Sequence, residues 1–492
     1  MRTQGWATSR GSHSLAILFC ILLALSPRGW SSVLVEWTNP ALPAARELGF
    51  GDLVVPWNGA NSPLIASALT QGYRVYLEVP LERASAAARE ASRRRLQGVI
   101  LNIQPSQREE LEKALPRLRS ANPKLRVLVL DGNGKQPEMR GSLVIKRDTV
   151  LEVSSPTAQP WIDTNLALIR IEERLHPAER PLYTFAWTPS ESGQQERRAT
   201  VADYSLAIAE AGAFHADLIL KVDEHLQKSL SEHDAEAGKL WGEVLSCAKF
   251  YMGKTARPLQ AAANVAVVAD DLDPGDEVMN LLARHNIPFK VLVPADLKES
   301  KLEGIDVVAV FAKPDKDAAE RLTTFATGGR TVVVVDAHGS YPWQKSPAVP
   351  RNEHTVAYAV GSGTVLELGE PVSDPETFAQ DIRRLLGKQN PLLTLWNGLT
   401  VIAVPYGEHD GSVKLVEFVN YAGEPVRVQV QVRGSWSTIG YESPEHGCCQ
   451  TLKREERNGF TEFVIPDLRI AGRVHLETEQ PATSKDNRVQ PR

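Results

Sequence analysis

Between Val33 and Tyr251 the chain repeats one pattern: a short apolar run followed by a stretch with helical spacing. The runs are Val33–Trp37, Leu53–Trp57, Tyr73–Glu78, Val99–Asn102, Arg126–Asp131, Leu182–Trp187 and Leu218–Asp223, with a further one expected within Leu143 to Val153, where the stretch from Gly132 to Pro160 is expected to hold the sixth strand together with an inserted hairpin. Eight strands alternating with helices over some 220 residues suit a closed (β/α)8 TIM barrel better than an open sheet. Most of the runs end on a polar or aromatic residue, and barrels of this kind keep their sites at the carboxyl ends of the strands.

At 492 residues the chain exceeds a single core. The helix–strand pattern breaks near Thr255 to Gln260 and then resumes with shorter spacing. Strands are expected over Asn264–Ala269, Phe289–Val293, Ile305–Phe311 and Thr331–Val335, with helices over Asp276–His285 and Asp317–Thr327, which indicates a mainly parallel sheet covered on both faces. Gly361-Ser362-Gly363 precedes a strand rather than a helix and reads as a hairpin. From Leu392 onward the helices stop. Val426 to Val432 alternates with strict period two, as a strand with one buried and one wet face does, so a small antiparallel β-sandwich is expected. The expected division is an export signal over 1–31, a barrel over 32–256, an α/β domain over 261–390, a β-sandwich over 391–479 and a disordered polar tail over 480–492.

The N-terminus carries Arg2 and Arg10, an unbroken apolar run from Leu15 to Leu25, and small residues at Ser31 and Ser32. That run is shorter than the ~20 residues needed to span a bilayer, so a cleaved signal and a secreted or periplasmic protein are expected, with no membrane span afterwards. Cleavage removes three arginines and no acid, moving the net charge from −5 to −8. An acidic mature chain argues against nucleic acid as partner. Cys247, Cys448 and Cys449 are too few for a disulfide framework, and none has zinc-ligand spacing; no metal and no cofactor are expected.

Strand parity selects the residues that face the barrel interior. With Val33 and Val35 outward, Glu36 points in; with Val75 and Leu77 outward, Tyr76 and Glu78 point in. The same rule turns Asn102, Gln104, Lys221 and Asp223 inward. Two readings of this polar set stand equally: it lines a pocket at the strand ends, or Lys221 simply neutralises Glu36 and Asp223, because the first and last strands of a closed barrel are neighbours. Trp37, Trp57 and Trp187 lie at strand ends, with Asn58 after Trp57. Indole faces stack on pyranose rings, while amides and carboxylates bind hydroxyls, so a carbohydrate is the expected ligand. Each tryptophan can equally well plug the barrel mouth. Glycoside hydrolysis usually needs two carboxyl groups; by position Glu36, Glu78, Asp131, Glu191, Asp223 and Glu224 are available, and Glu36, Glu78, Asp223 and Glu191 are the candidates taken forward, with Trp37, Trp57, Asn58, Asn102 and Trp187 for binding.

The three-part layout resembles the β-galactosidases of glycoside hydrolase family 42. Thr327-Gly328-Gly329-Arg330-Thr331-Val332-Val333 looks like that family's amidotransferase-like (flavodoxin-type) middle domain, and Val413 to Tyr421 with Ile465-Pro466-Asp467-Leu468 looks like its terminal sandwich. The resemblance implies an Asn-Glu pair at the end of strand four and a Glu at the end of strand seven. Strand four here ends Asn102-Ile103-Gln104, without an acid, and Glu191 is a displaced match for the second. The middle domain has no cysteine nucleophile, since none occurs between Cys247 and Cys448; its expected role is that of a scaffold or a subunit contact, through which a homo-oligomer would form. Two readings stand: a glycoside hydrolase with its own carboxylate pair, or a non-catalytic glycan-binding or assembly protein on the same scaffold.

Overall fold

The computed structural model describes residues 32–478 except 60–61, 132–133, 135, 141–143, 148–149, 154–159, 178, 187–197, 253–258, 273–274, 299–301, 388–389 and 409–411. The proposed signal, Trp187, Glu191 and the polar tail therefore lie outside the described residues. Seven parallel strands close into a barrel: β1 (Val33–Glu36), β2 (Asp52–Pro56), β3 (Arg74–Pro80), β4 (Gly98–Ile103), β5 (Arg126–Asp131), β6 (Leu182–Phe185) and β7 (Asp217–Lys221). The first strand pairs with the last, Val33 opposite Leu218 through Glu36 opposite Lys221.

The eighth strand expected within Leu143 to Val153 is not part of this barrel. That segment forms an antiparallel hairpin, Val144–Arg147 against Val150–Val153, and Glu138–Arg140 pairs with Trp161–Asp163 in a second small sheet. The two strands of the hairpin are only two residues apart in sequence, and so short a link joins antiparallel neighbours; a parallel strand needs a crossover. As a result β5 meets β6 directly, through the single pair Asp131 and Tyr183. The helix Leu166–Leu175 still covers the outside, with Leu166 to Ile171 buried.

Alternate residues fill two separate cores, as the period of a strand requires. Leu34, Val54, Tyr76, Ile100, Leu130, Leu182 and Ile219 form an apolar plug inside the barrel. Their neighbours Val33, Val35, Val75, Leu77, Val99, Leu101, Leu218 and Leu220 face outward to the helices. The inward parity of Glu36, Glu78, Asn102 and Lys221 follows from this register. Each lies two residues beyond a plug residue, toward the carboxyl ends.

The middle unit contains β8 (Val265–Val268), β9 (Phe289–Leu292), β10 (Val307–Val310), β11 (Thr331–Val334), β12 (Ala348–Pro350), β13 (Thr355–Val360) and β14 (Gly363–Leu368). The sheet order is β9-β8-β10-β11-β14-β13-β12. Its five parallel strands thus run 2-1-3-4-5, the flavodoxin-like doubly wound order. The expected hairpin links β13 to β14. Gly363 is required there: a Cβ would lie 2.2 Å from the Ala326 carbonyl oxygen.

The last unit is the expected sandwich: β15 (Leu393–Trp396), β16 (Val401–Gly407), β17 (Val413–Asn420), β18 (Val426–Arg433), β19 (Thr438–Ser443), β20 (Gly447–Thr451), β21 (Arg454–Arg457), β22 (Phe460–Leu468) and β23 (Ala471–Glu477). Sheet β16-β17-β23-β19-β20 faces sheet β15-β18-β22-β21, with Gln260–Ala261 added to the edge of the first. Val428, Val430 and Val432 are buried between the sheets, and Gln429 and Gln431 alternate with them on the wetter face.

A buried polar knot joins barrel to sandwich. Glu210, on the helix Val201–Ala213, accepts from Tyr421 (2.5 Å), from the Asn165 side chain (2.5 Å) and backbone (3.3 Å), and from Tyr183 (3.2 Å). Nearby, Arg170 donates to the Tyr406 hydroxyl at 3.0 Å, and that hydroxyl donates to the Ala213 carbonyl at 2.8 Å. Among the described residues no helix is long and apolar enough to cross a membrane.

Candidate active site at the barrel mouth

Glu36 is the last residue of β1, Lys221 the last of β7, Glu78 lies near the end of β3, and Asn102 lies beside it on β4. The closed register brings them together above the apolar plug. Lys221 Nζ sits 2.9 Å from Glu36 Oε2 and 3.7 Å from Glu78 Oε1. Asn102 Nδ2 approaches Glu78 Oε1 at 3.4 Å. Both glutamates are 8% exposed. The Lys221 side chain is 30% exposed, so it is the part of the cluster that solvent reaches most readily.

The electrostatics separate the members. Burial, reinforced by the neighbouring Glu78 charge, pushes the Glu36 carboxyl up to about 7, against the opposing pull of Lys221. Burial works against the charge on Lys221, but the two carboxylates outweigh it and hold its pKa above the ordinary lysine value. Glu78 Oε2 is buried with no hydrogen-bond partner. A buried carboxylate oxygen without a donor is costly, and in a polar cluster it marks either strain or a missing ligand.

The structure redistributes several expected site residues. Lys221 bridges Glu36 and Glu78, not Glu36 and Asp223. Asp223 is instead the N-cap of the helix Glu224–Ser231: one oxygen accepts from the Leu226 backbone at 3.0 Å and the other from the Tyr204 hydroxyl at 3.0 Å. Both oxygens are engaged structurally, so Asp223 does not join the pair. Trp37 is fully buried in the outer core, its indole N–H donating to the Ala41 carbonyl at 3.0 Å, and no ring face is left for a sugar. Trp57 is half-buried against the same core, and Asn58 after it is exposed. Asn102 is beside the carboxylates as expected.

A cavity of about 980 Å³ opens elsewhere, between the outer barrel helices and the sandwich loops, with Asp223, His225, Leu240, Trp241, Glu424 and Pro444 in its wall. It does not contain the clustered carboxylates and ammonium of the barrel mouth. Sequence reasoning missed Gln227, whose side-chain oxygen accepts from the backbone of Thr38 (3.0 Å) and Asn39 (2.9 Å) and holds the loop after β1. A glutamine within a helix gives no sequence signal of that role.

Comparison with protein-family models finds no match, and neither does comparison with curated protein sequences. Solved structures do match. The α-L-fucosidase isoenzyme 2 of Paenibacillus thiaminolyticus aligns over 92% of this chain and 100% of its own, at 11% identity and a TM-score of 0.53. A cold-adapted β-galactosidase from Rahnella sp. R3 aligns over 86% of this chain and 95% of its own, at 10% identity and a TM-score of 0.49. The fold is that of the barrel glycosidases. Identities this low carry the architecture alone, so the residues at the mouth must speak for the chemistry.

Proposed function

We propose that the protein is a glycoside hydrolase whose catalytic pair is Glu36 and Glu78. The observation that carries this reading is a pair of buried carboxyls converging on Lys221 at the carboxyl-terminal face, one of them raised to about 7. A carboxyl titrating near neutrality is half protonated there and suits a general acid that later acts as base. Glu36 would give its proton to the glycosidic oxygen as the leaving group departs. Glu78 would attack the anomeric carbon and form a glycosyl ester. Water would then cleave that ester as Glu36 takes the water's proton, restoring both groups with retention of configuration. Lys221 would keep the two carboxyls close without neutralising both, and Asn102 would hold Glu78. Half-buried Trp57 and exposed Asn58 at the rim are the remaining candidates for sugar contact. We also propose, from the basic start and the apolar run Leu15 to Leu25, that residues 1–31 are an export signal removed from the mature protein.

A second reading has its own support: strand four ends Asn102-Ile103-Gln104, where the family-42 enzymes are expected to carry an acid. A barrel that binds glycans without cleaving them fits that feature. Assay of the purified protein against a panel of aryl glycosides and oligosaccharides separates the two. Hydrolysis that disappears in both Glu36→Gln and Glu78→Gln supports the enzyme; glycan binding without release of any product supports the binder. Hydrolysis that persists in both variants overturns the assignment of this pair.

A further inference from the structure

The register between β1 and β7 ends on the residues that meet at the mouth: Glu36 opposite Lys221 is its last pair. A terminal pair has ladder neighbours on one side only, and strand ends open more readily than strand centres. Just past this pair a side chain takes the place of the next rung. Gln227 lies on the helix Glu224–Ser231, which starts directly after β7, and with Leu230 it forms the buried face of that helix. It is 2% exposed. Its Oε1 accepts from the backbone N–H of Thr38 at 3.0 Å and of Asn39 at 2.9 Å, two and three residues beyond Glu36. Its Nε2 donates to the carbonyl of Val222 at 2.7 Å, one residue beyond Lys221.

The two chain ends call for an amide. One presents N–H groups and the other a carbonyl, so a buried side chain between them must accept and donate at once. The helix keeps that amide in place: the Gln227 backbone N–H donates to the Asp223 carbonyl at 2.9 Å, and the Asp223 carboxylate caps the Leu226 N–H at 3.0 Å. The carboxyls are held from the other side. Glu36 and Trp37 stay tied to β2, with the Trp37 N–H on the Val54 carbonyl at 3.0 Å, and β2 pairs with β3, which carries Glu78. Gln227 is thus a side-chain tie between the β1 and β7 ends, beyond their last ladder pair.

Resting on the assignment of Glu36 and Glu78 as the catalytic pair, we infer that Gln227 is a positioning residue that sets where the Lys221 ammonium stands relative to the two carboxyls. Gln227 touches no reacting atom itself. Lys221 Nζ is 2.9 Å from Glu36 Oε2 and 3.7 Å from Glu78 Oε1, an unequal sharing that requires the end of β7 to keep its distance from β1. Without the tie the end of β7 parts from β1 and takes Lys221 with it, while Glu78 remains beside Glu36. Glu36 then loses the charge that pulls its carboxyl down and keeps the one that pushes it up.

Gln227→Met in the full-length protein tests this. Its kcat should fall by about 10–100-fold, the scale of a displacement near 1 Å in a catalytic constellation. Its KM should stay within about threefold, since no substrate contact is removed. The side-chain carboxyl ¹³C resonance of Glu36, assigned by its loss in Glu36→Gln, should titrate about half a pH unit or more above its wild-type midpoint. In a Lys221→Met background the same substitution should change kcat by less than about twofold, because the group it acts through is gone. Should Gln227→Met fail to fold, Gln227→Asn, an uncharged amide too short to span both ends, carries the same readouts. A folded variant with unchanged kcat and unchanged Glu36 midpoint would overturn the inference. So would a midpoint that moves down, as water entering a loosened mouth would cause, or an equal fall in kcat with and without Lys221. The two readings fail separately. A wild-type protein that hydrolyses no glycoside overturns the catalytic pair, and the Glu36 titration still decides the role of Gln227. Hydrolysis by wild type that survives Gln227→Met with the midpoint in place overturns the role of Gln227 alone.

Discussion

Two buried carboxylate clusters sit on the same barrel, and they differ in how completely their hydrogen bonds are satisfied. Glu210, fully buried on an outer helix, has both oxygens engaged by Tyr421, Asn165 and Tyr183, donors drawn from three separate segments. Glu78, at the mouth, keeps one buried oxygen without a donor and shares Lys221 with Glu36. Burial raises the carboxyl pKa of Glu210 as it does that of Glu36. A perturbed titration therefore does not distinguish a site from a brace. The distinction is the accounting of donors: a complete set rigidifies an interface, and an incomplete set on a solvent-reachable cation leaves room for a ligand.

The contrast is tested most severely by exchanging carboxylate for amide at the mouth. Glu78→Gln should lower kcat/KM by about 10²–10⁴-fold in steady-state assays. Its thermal midpoint should move little, because the atom replaced already lacks a partner. A large drop in midpoint with unchanged turnover per folded molecule would make the mouth a second brace and erase the contrast. Next in size is the opposite change. Glu210→Ala strands several buried donors at once, each worth about 1–3 kcal/mol, so a loss of roughly 3–4 kcal/mol is expected in urea melts. Turnover per folded molecule should stay within a factor of a few, since the knot lies outside the barrel.

These two clusters also mark how far the sequence can be read. Period-two alternation located Glu36, Glu78, Asn102 and Lys221 inside the barrel, because parity is a local property and the plug of Leu34, Tyr76 and Ile219 obeys it. The sandwich was legible for the same reason, and the mainly parallel middle sheet from its helix–strand alternation, whereas its strand order was not. Which partners meet was less legible. Lys221 reaches Glu78 across the barrel rather than Asp223 two residues along the chain, and Asp223 is diverted by the N-terminus of the following helix. The Glu210 knot joins residues as far apart as Thr164, Glu210 and Tyr421, which no local pattern announces. Between β5 and β6 the sequence predicts a barrel strand together with an inserted hairpin; the hairpin is present and the strand is not part of the barrel, because apolar pairs fit a strand in either direction and only the short link selects the hairpin.

A smaller effect refines the role of the shared cation. Among the described residues Lys221 is the only group that pulls the Glu36 carboxyl downward, so in Lys221→Met that carboxyl should titrate above about 7. If Glu36 is the proton donor, the alkaline limb of the pH–rate profile should move to higher pH in this variant, alongside a loss of overall rate. An alkaline limb that stays in place while the rate falls would assign the titration to another group.

The smallest effect is on stability, and its sign follows from linkage. Glu36 is pushed up to about 7 in the folded protein, by burial and by the neighbouring Glu78, from the ordinary glutamate value of 4.5 that it regains when unfolded. Between those values the folded state holds a proton that the unfolded chain has released, so this group's contribution is fully present below about 4.5 and is lost as pH rises through 7. Glutamine mimics the protonated form and has no such dependence. Glu36→Gln should therefore match wild type in stability near pH 5 and exceed it near pH 8, by about 1–2 kcal/mol after allowance for the coupling to Glu78 and Lys221. Paired thermal melts across that range measure the difference directly. A difference that stays constant with pH would mean that Lys221 holds Glu36 ionised throughout, and the proton donor would then have to be sought elsewhere at the mouth.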